Sequence, residues 1–398
     1  MTDAPRAGLF SRVGLRAGPY LALHRRGRAN GRVLTAGVGA AALGSVVVIG
    51  GTSLVAANAT GRPEPTCAPV SCSTTEDRKT RESASPRRSA IALPPGLPAS
   101  PVPKASTSNR PGAGPLGALY VDSEGQAAEW VAGNSGDSRV GVIRDRIAGQ
   151  PQARWFAADD PGEVEGAVRA YTAQAASKGE VPVLVAYNMT NRDCGGASAG
   201  GADGADGYRT WISNFASGLR SGTSIVVLEP DSLPHLTDCL SEGQQQERLD
   251  LLAYAAKTIK QKSAKARVYY DVGHSAWLAP GEAARRAERA GARQYGDGIA
   301  LNTSNYRTSG NEVAYGKQVL AALGGGQMVI DTSRNGNGPA GDGEWCDPSG
   351  RKLGRNPTTA TGDAKVAAYL WVKRPGESDG CSGSAGQFIA ETAYELSS

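Results

Sequence analysis

The chain has 398 residues, with 43 Lys and Arg against 38 Asp and Glu, a formal net charge of +5. The charge is uneven: residues 1–32 carry +6 and 61–113 carry +4, which leaves −5 for 114–398. An acidic main body with no basic stripe argues against nucleic acid as a partner.

In chain order, the Arg-rich 1–32 precedes 33–60, which has no charged residue. A basic segment ahead of an apolar one has the form of a signal peptide or a membrane anchor. Ala57-Asn58-Ala59 fits a small-x-small cleavage site, and the Gly, Ser and Thr content weakens the anchor reading, so cleavage is favoured. Either way the remainder is expected to be extracellular, secreted or tethered to the membrane through 33–60. Residues 61–113 are rich in Pro, Ser, Thr and Arg. They have too little apolar surface to offset the entropy of ordering and read as a disordered linker. Cys67 and Cys72 lie in it, free to close a small loop or to pair with another chain.

Residues 114–398 are long enough for one domain with a sizeable core. They hold Cys194, Cys239, Cys346 and Cys381, an even number that suggests two disulfides in an exported domain. With no C-x-x-C and only three His in the chain, a metal site is not expected, and no cofactor is. A monomer is expected.

Short apolar runs predict strands over 153–156, 181–187, 224–228, 267–270, 298–301, 327–330 and 367–372. Helical patterns fall between them, over 163–177, 208–219, 244–262, 280–290 and 312–323. This alternation predicts an α/β fold with a parallel sheet, and the number of units favours a TIM-like barrel over an open doubly wound sheet. No G-x-G-x-x-G follows the first strands, so a dinucleotide fold has no support.

Nearly every predicted strand ends in polar residues: Tyr187-Asn188, Glu229-Pro230-Asp231, Asp271-Val272-Gly273-His274, Asn302 to Asn305, Asp331 to Arg334, and Lys373 with Glu377 and Asp379. A single polar strand end is an ordinary turn signal. Six in succession, converging on the carboxyl face of a barrel, predict a site. A Ser hydrolase is not supported, since G-x-S-x-G is missing.

At these positions the chain resembles glycoside hydrolase family 6, the β-1,4-glucanases. The matching motifs are Y-N-M-T-N-R-D-C (187–194), V-L-E-P-D-S-L (227–233), Y-Y-D-V-G-H-S-A-W (269–277), N-T-S-N-Y (302–306), I-D-T-S-R-N-G-N-G-P (330–339), E-W-C-D-P-S-G (344–350) and W-V-K-R-P-G-E-S-D-G-C (371–381). The resemblance implies a distorted, partly open parallel β/α barrel over 114–398. It also implies inverting, endo-acting hydrolysis of β-1,4-glucosidic bonds in cellulose or soluble cello-oligosaccharides. The bacterial endoglucanases resemble it most, because the loops that would roof a tunnel in exo-acting cellobiohydrolases are short here. A catalytically silent glycan binder and a cellobiohydrolase are the alternatives.

By the same resemblance Asp231 is the general acid, Asp193 the like charge that raises its pKa, and Asp379 the proposed base. Ion pairing of Asp193 with Arg192, or of Asp379 with Lys373 or Arg374, would make these residues structural instead. Ser198 lies in the Gly-rich 195–207, too Gly-rich to be rigid, which is expected to close over substrate. Trp155, Trp277 and Trp345 match sugar platforms, and Tyr187 lies at the cleavage point. His274, Asn302, Asn305, Arg334, Lys373 and Glu377 are candidate hydroxyl ligands. The family pattern implies disulfides Cys194–Cys239 and Cys346–Cys381. Three positions depart from that pattern: Thr190 where many members have Pro, Asn191 where many have Gly, and Ser378 where Cys or Ala is usual.

Overall fold

The computed structural model describes residues 114–157, 160–341 and 343–398. The basic segment, the apolar segment and the linker, with Cys67 and Cys72, lie outside the described residues. Among the described residues no helix is long and apolar enough to cross a membrane.

Two helices, α1 (Gln126–Gly133) and α2 (Val140–Ile143), and a π-helical turn at Arg144–Ala148 precede the first strand, β1 (Arg154–Phe156). Then follow α3 (Pro161–Ser177), β2 (Val183–Ala186), α4 (Gly204–Gly218), β3 (Ser224–Leu228), α5 (Glu242–Lys262) and β4 (Ala266–Asp271). Next come α6 (Pro280–Arg289), α7 (Ala292–Tyr295), β5 (Gly298–Leu301), α8 (Ser309–Leu323), β6 (Gln327–Asp331), β7 (Val366–Leu370) and α9 (Ala390–Ser397). Local chemistry sets several helix ends. The Asp160 carboxylate accepts from Gly162 N at 2.7 Å ahead of Pro161, which starts α3. Ser241 and Gln244 form a reciprocal capping box on α5. Gly324, at φ 85°, ends α8 in the left-handed conformation that glycine adopts without strain.

The seven strands form one parallel sheet in chain order. Side chains alternate along each strand, and the two faces feed two separate cores. Leu184, Ala186, Val226, Leu228 and Ile330 join the helices in the outer core. Val183, Val185, Ile225, Val227, Tyr269, Val329 and Leu370 meet one another in an inner core that draws on no helix. Such a face can be dry only if the sheet curls on itself. The curl leaves the edge strands β1 and β7 without a strand ladder between them. Ala153 N donates to Trp371 O at 2.9 Å, and Trp155 Nε1 to Val372 O at 2.8 Å, so two hydrogen bonds bridge the seam. The fold is the partly open barrel that was expected.

Two differences from the expected elements affect the site. Residues 204–207, read as loop, are the first turn of α4. The end of the chain, where no element was predicted, is α9, which packs with α1, α2 and the π-helical turn around Ala127, Ile143, Ile147 and Ala393. At 8 residues each, and with no side-chain cap, α1 and α9 have weak local signals; tertiary packing forms them.

Candidate active site

The loops after the strands enclose a cleft of about 730 Å³. Every non-glycine residue with positive φ among the described residues lies in them: Asn191, Asp193, Cys194, Glu229, Asp231, Asn302, Ser304 and Asp347. Backbone strain of this kind persists only where surrounding structure enforces it, and it concentrates at functional sites.

Two carboxylates leave the end of β3, and they differ completely. Glu229 is fully buried and accepts from Asn188 N (2.9 Å), Met189 N (2.9 Å) and the Tyr208 hydroxyl (2.9 Å). It is a structural tie between the ends of β3 and β2. Asp231 lines the cleft and accepts no hydrogen bond from the described residues. Burial pushes its carboxyl well above the ordinary carboxylate range, helped by the charges of Asp271, Asp193 and Asp379 in that order. Asp271, the last residue of β4, stood among the polar strand ends but was assigned no role from the sequence. It receives Thr303 Oγ1 (2.7 Å), Gly273 N (3.1 Å) and Asp231 N (3.1 Å), and burial pushes it up to about 6 against those bonds. The charge of Asp193 disfavours ionisation of Asp231, behind burial and Asp271.

Asp193 sits in a tight turn with φ 54°. Its Oδ2 accepts from Ser198 N at 2.7 Å, and His235 Nε2 lies 3.8 Å from Oδ1. Arg192 turns away from it. The guanidinium donates to the carbonyls of Tyr187 (2.7 Å), Ser198 (2.8 Å) and Ala199 (3.1 Å) and covers the Tyr187 ring at 4.6 Å. The Gly-rich loop is thus fastened, with Ala202 N also bonded to Asn188 O at 3.0 Å. Cys194–Cys239 anchors the same turn, and Cys346–Cys381 bridges the loops of Trp345 and Asp379. Both pairings are those expected. Reduction is expected to lower turnover more than it lowers the thermal midpoint, because each bridge fixes a cleft loop. Full activity in a reduced, folded sample would contradict this.

On the far side, Asp379 is nearly enclosed. Its Oδ2 receives Arg334 Nη1 (2.8 Å), Tyr306 OH (3.1 Å) and Asp347 N (3.1 Å), and Lys373 Nζ lies 3.0 Å from Oδ1. The pairing with Lys373 weighed from sequence is present; the second cation is Arg334, not Arg374. Burial disfavours charge on the nearby Asp347. Hydrogen bonds from Ser378 Oγ and the Ser382, Asp379 and Cys381 amides outweigh it and hold Asp347 well below the ordinary range. Asp347 thus orients Asp379 through its amide (2.7 Å).

Two predicted ligands do not line the cleft. Asn302 is fully buried, with Nδ2 donating to Asp331 O (2.9 Å) and Arg307 O (3.1 Å) and Oδ1 accepting from Arg307 N (3.0 Å). It organises the loop after β5 instead. Arg334 lies behind Asp379, over the Tyr306 ring at 4.5 Å. The other candidates do face the cleft: Trp155, Tyr187, Ser198, His274, Trp277, Asn305, Trp345, Lys373 and Glu377. Trp277 packs edge-on to His235 at 4.8 Å, while Trp345 stands at the rim, 51% exposed. His274, pulled down to about 4 by burial and by Arg307, is neutral at neutral pH. Glu377 is held by Arg374 Nε (2.7 Å) and Gln126 Nε2 (2.6 Å), so α1 reaches the site through it. His235, Tyr306 and Arg307 also line the cleft and were not predicted. Among the described residues no group of three or more His, Cys, Asp or Glu could hold a metal ion.

Buried carboxyls have a consequence for stability. Glu229, and Glu312 on α8, are both pushed up to about 7 from an ordinary 4.5, chiefly by burial. In that window the folded chain binds more protons than the unfolded one, so stability falls as pH rises from 4.5 to 7 and levels off above. Glu312→Gln should reduce the fall in unfolding free energy between about pH 5 and about pH 8 by on the order of 1–3 kcal/mol. Denaturant titrations at both pH values measure it; an unchanged fall would exclude Glu312 as a contributor.

Residues 118–396 match the profile of glycosyl hydrolases family 6. The chain belongs to this family. It is 49% identical over 280 residues to Endoglucanase A of Thermobispora bispora, covering 70% of this chain and 61% of that protein. To Endoglucanase 1 of Streptomyces sp. (strain KSM-9) it is 50% identical over 280 residues, covering 70% and 77%. The match thus spans less than two thirds of the Thermobispora protein. Among solved structures, the endoglucanase Cel6 from Mycobacterium tuberculosis aligns with a TM-score of 0.66 at 41% identity, covering 73% of this chain and 97% of that one. That protein was solved with methyl-cellobiosyl-4-deoxy-4-thio-β-D-cellobioside bound. The family 6 frame also explains two departures. Asn191 has φ 51°, in the left-handed region that Asn tolerates best after Gly. Ser378 Oγ donates to Asp347 Oδ2 at 2.6 Å, joining the brace behind Asp379.

Proposed function

We propose that the domain hydrolyses internal β-1,4-glucosidic bonds of cellulose or soluble β-glucans with inversion of configuration. One observation carries this reading. Asp231 presents an unpaired carboxyl to the cleft, and burial and three other carboxylates favour its protonated form. A proton is what the departing glycosidic oxygen requires. Asp193 and Asp271 keep Asp231 protonated. Asp379, held by two cations, orients the attacking water and takes its proton directly or through a second water. Trp155, Trp277 and Trp345 give flat apolar faces to the C–H faces of glucose units, and Lys373, Glu377 and Asn305 meet hydroxyls. The exposed rim at Trp345 and the names of the bacterial relatives favour an endo-acting enzyme. Two disulfides suit an extracellular site of action, secreted or tethered through 33–60.

The test is incubation with carboxymethyl-cellulose and cello-oligosaccharides, following viscosity and product anomer by NMR. Rapid viscosity loss with α-anomeric products is expected. A β-anomer overturns inversion, slow viscosity loss with steady cellobiose release points to an exo-acting enzyme, and binding without cleavage points to a silent glycan binder.

A further inference from the structure

The stretch between β2 and Asp193 is held by two side chains that do not line the cleft. On its donor side, Glu229 takes the amides of Asn188 and Met189. On its acceptor side, Arg248 of α5 donates through Nη2 to Thr190 O (2.9 Å) and Asn191 O (2.9 Å). The Nη1 of the same guanidinium donates to Ser232 O (3.3 Å), the residue after Asp231. One planar fork therefore spans both acid-bearing loops. Arg248 is only 2% exposed although it sits in the polar run Q-Q-Q-E-R. Removing a cation this far from water is unfavourable, and among the described residues it forms no ion pair within hydrogen-bonding distance; both Nη atoms donate to carbonyls, while Nε is buried without a partner. Arg286 of α6 repeats the device further along, donating to Leu233 O (2.7 Å) and Pro234 O (2.8 Å). Both loops carry left-handed residues that need enforcement from outside, Asn191 and Asp193 on one and Glu229 and Asp231 on the other.

We propose that Arg248 is a positioning residue for the acid pair: from behind the cleft, its guanidinium fixes the loop of Asp193 against the loop of Asp231. The inference rests on the general-acid reading of Asp231. A lysine retains the charge and not the fork, so it cannot reach three carbonyls on two loops in one plane.

The test compares wild type with Arg248→Lys on cello-oligosaccharides and on 2,4-dinitrophenyl cellobioside, whose leaving group departs without a proton. On oligosaccharides, kcat is expected to fall on the order of 10–100-fold with KM little changed. Activity on the activated substrate is expected to be nearly retained. The alkaline limb of the oligosaccharide pH–rate profile should move to lower pH, because a displaced Asp193 no longer opposes ionisation of Asp231. Equal losses on both substrates, or an unmoved pH profile, overturn the proposal by reducing Arg248 to a fold-supporting residue. If the lysine variant does not fold, Arg248→Gln takes its place with the same readouts. Failure of the wild type to cleave either substrate would count against the function itself, not against Arg248.

Discussion

Asp231→Asn is expected to lose nearly all activity on cello-oligosaccharides while becoming more stable. Removing a general acid costs typically 10²–10⁴-fold, about 3–5 kcal/mol of barrier. Asparagine keeps the shape and cannot supply the proton. Activity on 2,4-dinitrophenyl cellobioside and binding of oligosaccharide should survive, since neither needs the acid. The stability gain follows from the surroundings: Asp231 accepts no hydrogen bond from the described residues and faces three other carboxylates. Its replacement leaves no partner stranded and removes the cost of holding a buried carboxyl protonated above its ordinary pKa, a change worth on the order of 1 kcal/mol. Thermal unfolding and initial rates on the two substrates check both halves. Retained oligosaccharide hydrolysis would move the acid elsewhere.

Asp379→Asn is expected to fail in the opposite manner, losing activity on both substrates and stability as well. The side chains of Arg334 and Lys373 are only 4% and 11% exposed, and Asp379 is the carboxylate that both pair with. Stranding a buried charge costs about 3–5 kcal/mol. In a domain of this size that is roughly 6–15 °C in thermal midpoint. An activated leaving group should give no rescue, because in the proposed mechanism Asp379 serves the attacking water and not the departing oxygen. A midpoint unchanged from wild type would mean that the two cations find other partners. Rescue by the activated substrate would reassign Asp379 to the acid side. The two substitutions together separate the faces of the reaction by the sign of their stability effects.

The barrel was legible because its signals are local. Ser224 to Leu228 is apolar and β-branched, stops at a carboxylate, and is a strand with the predicted limits. What failed to read through depends on the third dimension. Asp271 and Asp331 each end a strand, and only the fold sets the first beside Asp231 and the second on backbone amides. Asn302 and Arg334 have the chemistry of sugar ligands, but the loops they hold together turn them inward. Arg248 looks like an ordinary charge on a solvated helix face, since nothing near it in sequence announces the carbonyls of two distant loops. The cysteines were legible in number from the sequence and in pairing only from the family pattern.

The left-handed backbone at Asn191 has an evolutionary reading. At φ 51° a glycine is relaxed and an asparagine is tolerated, while a β-branched side chain would meet strain of on the order of 1–3 kcal/mol. On backbone grounds Gly and Asn are therefore nearly interchangeable at this position. Drift there is confined to a corridor whose walls are a dihedral angle, and valine or isoleucine lies outside it.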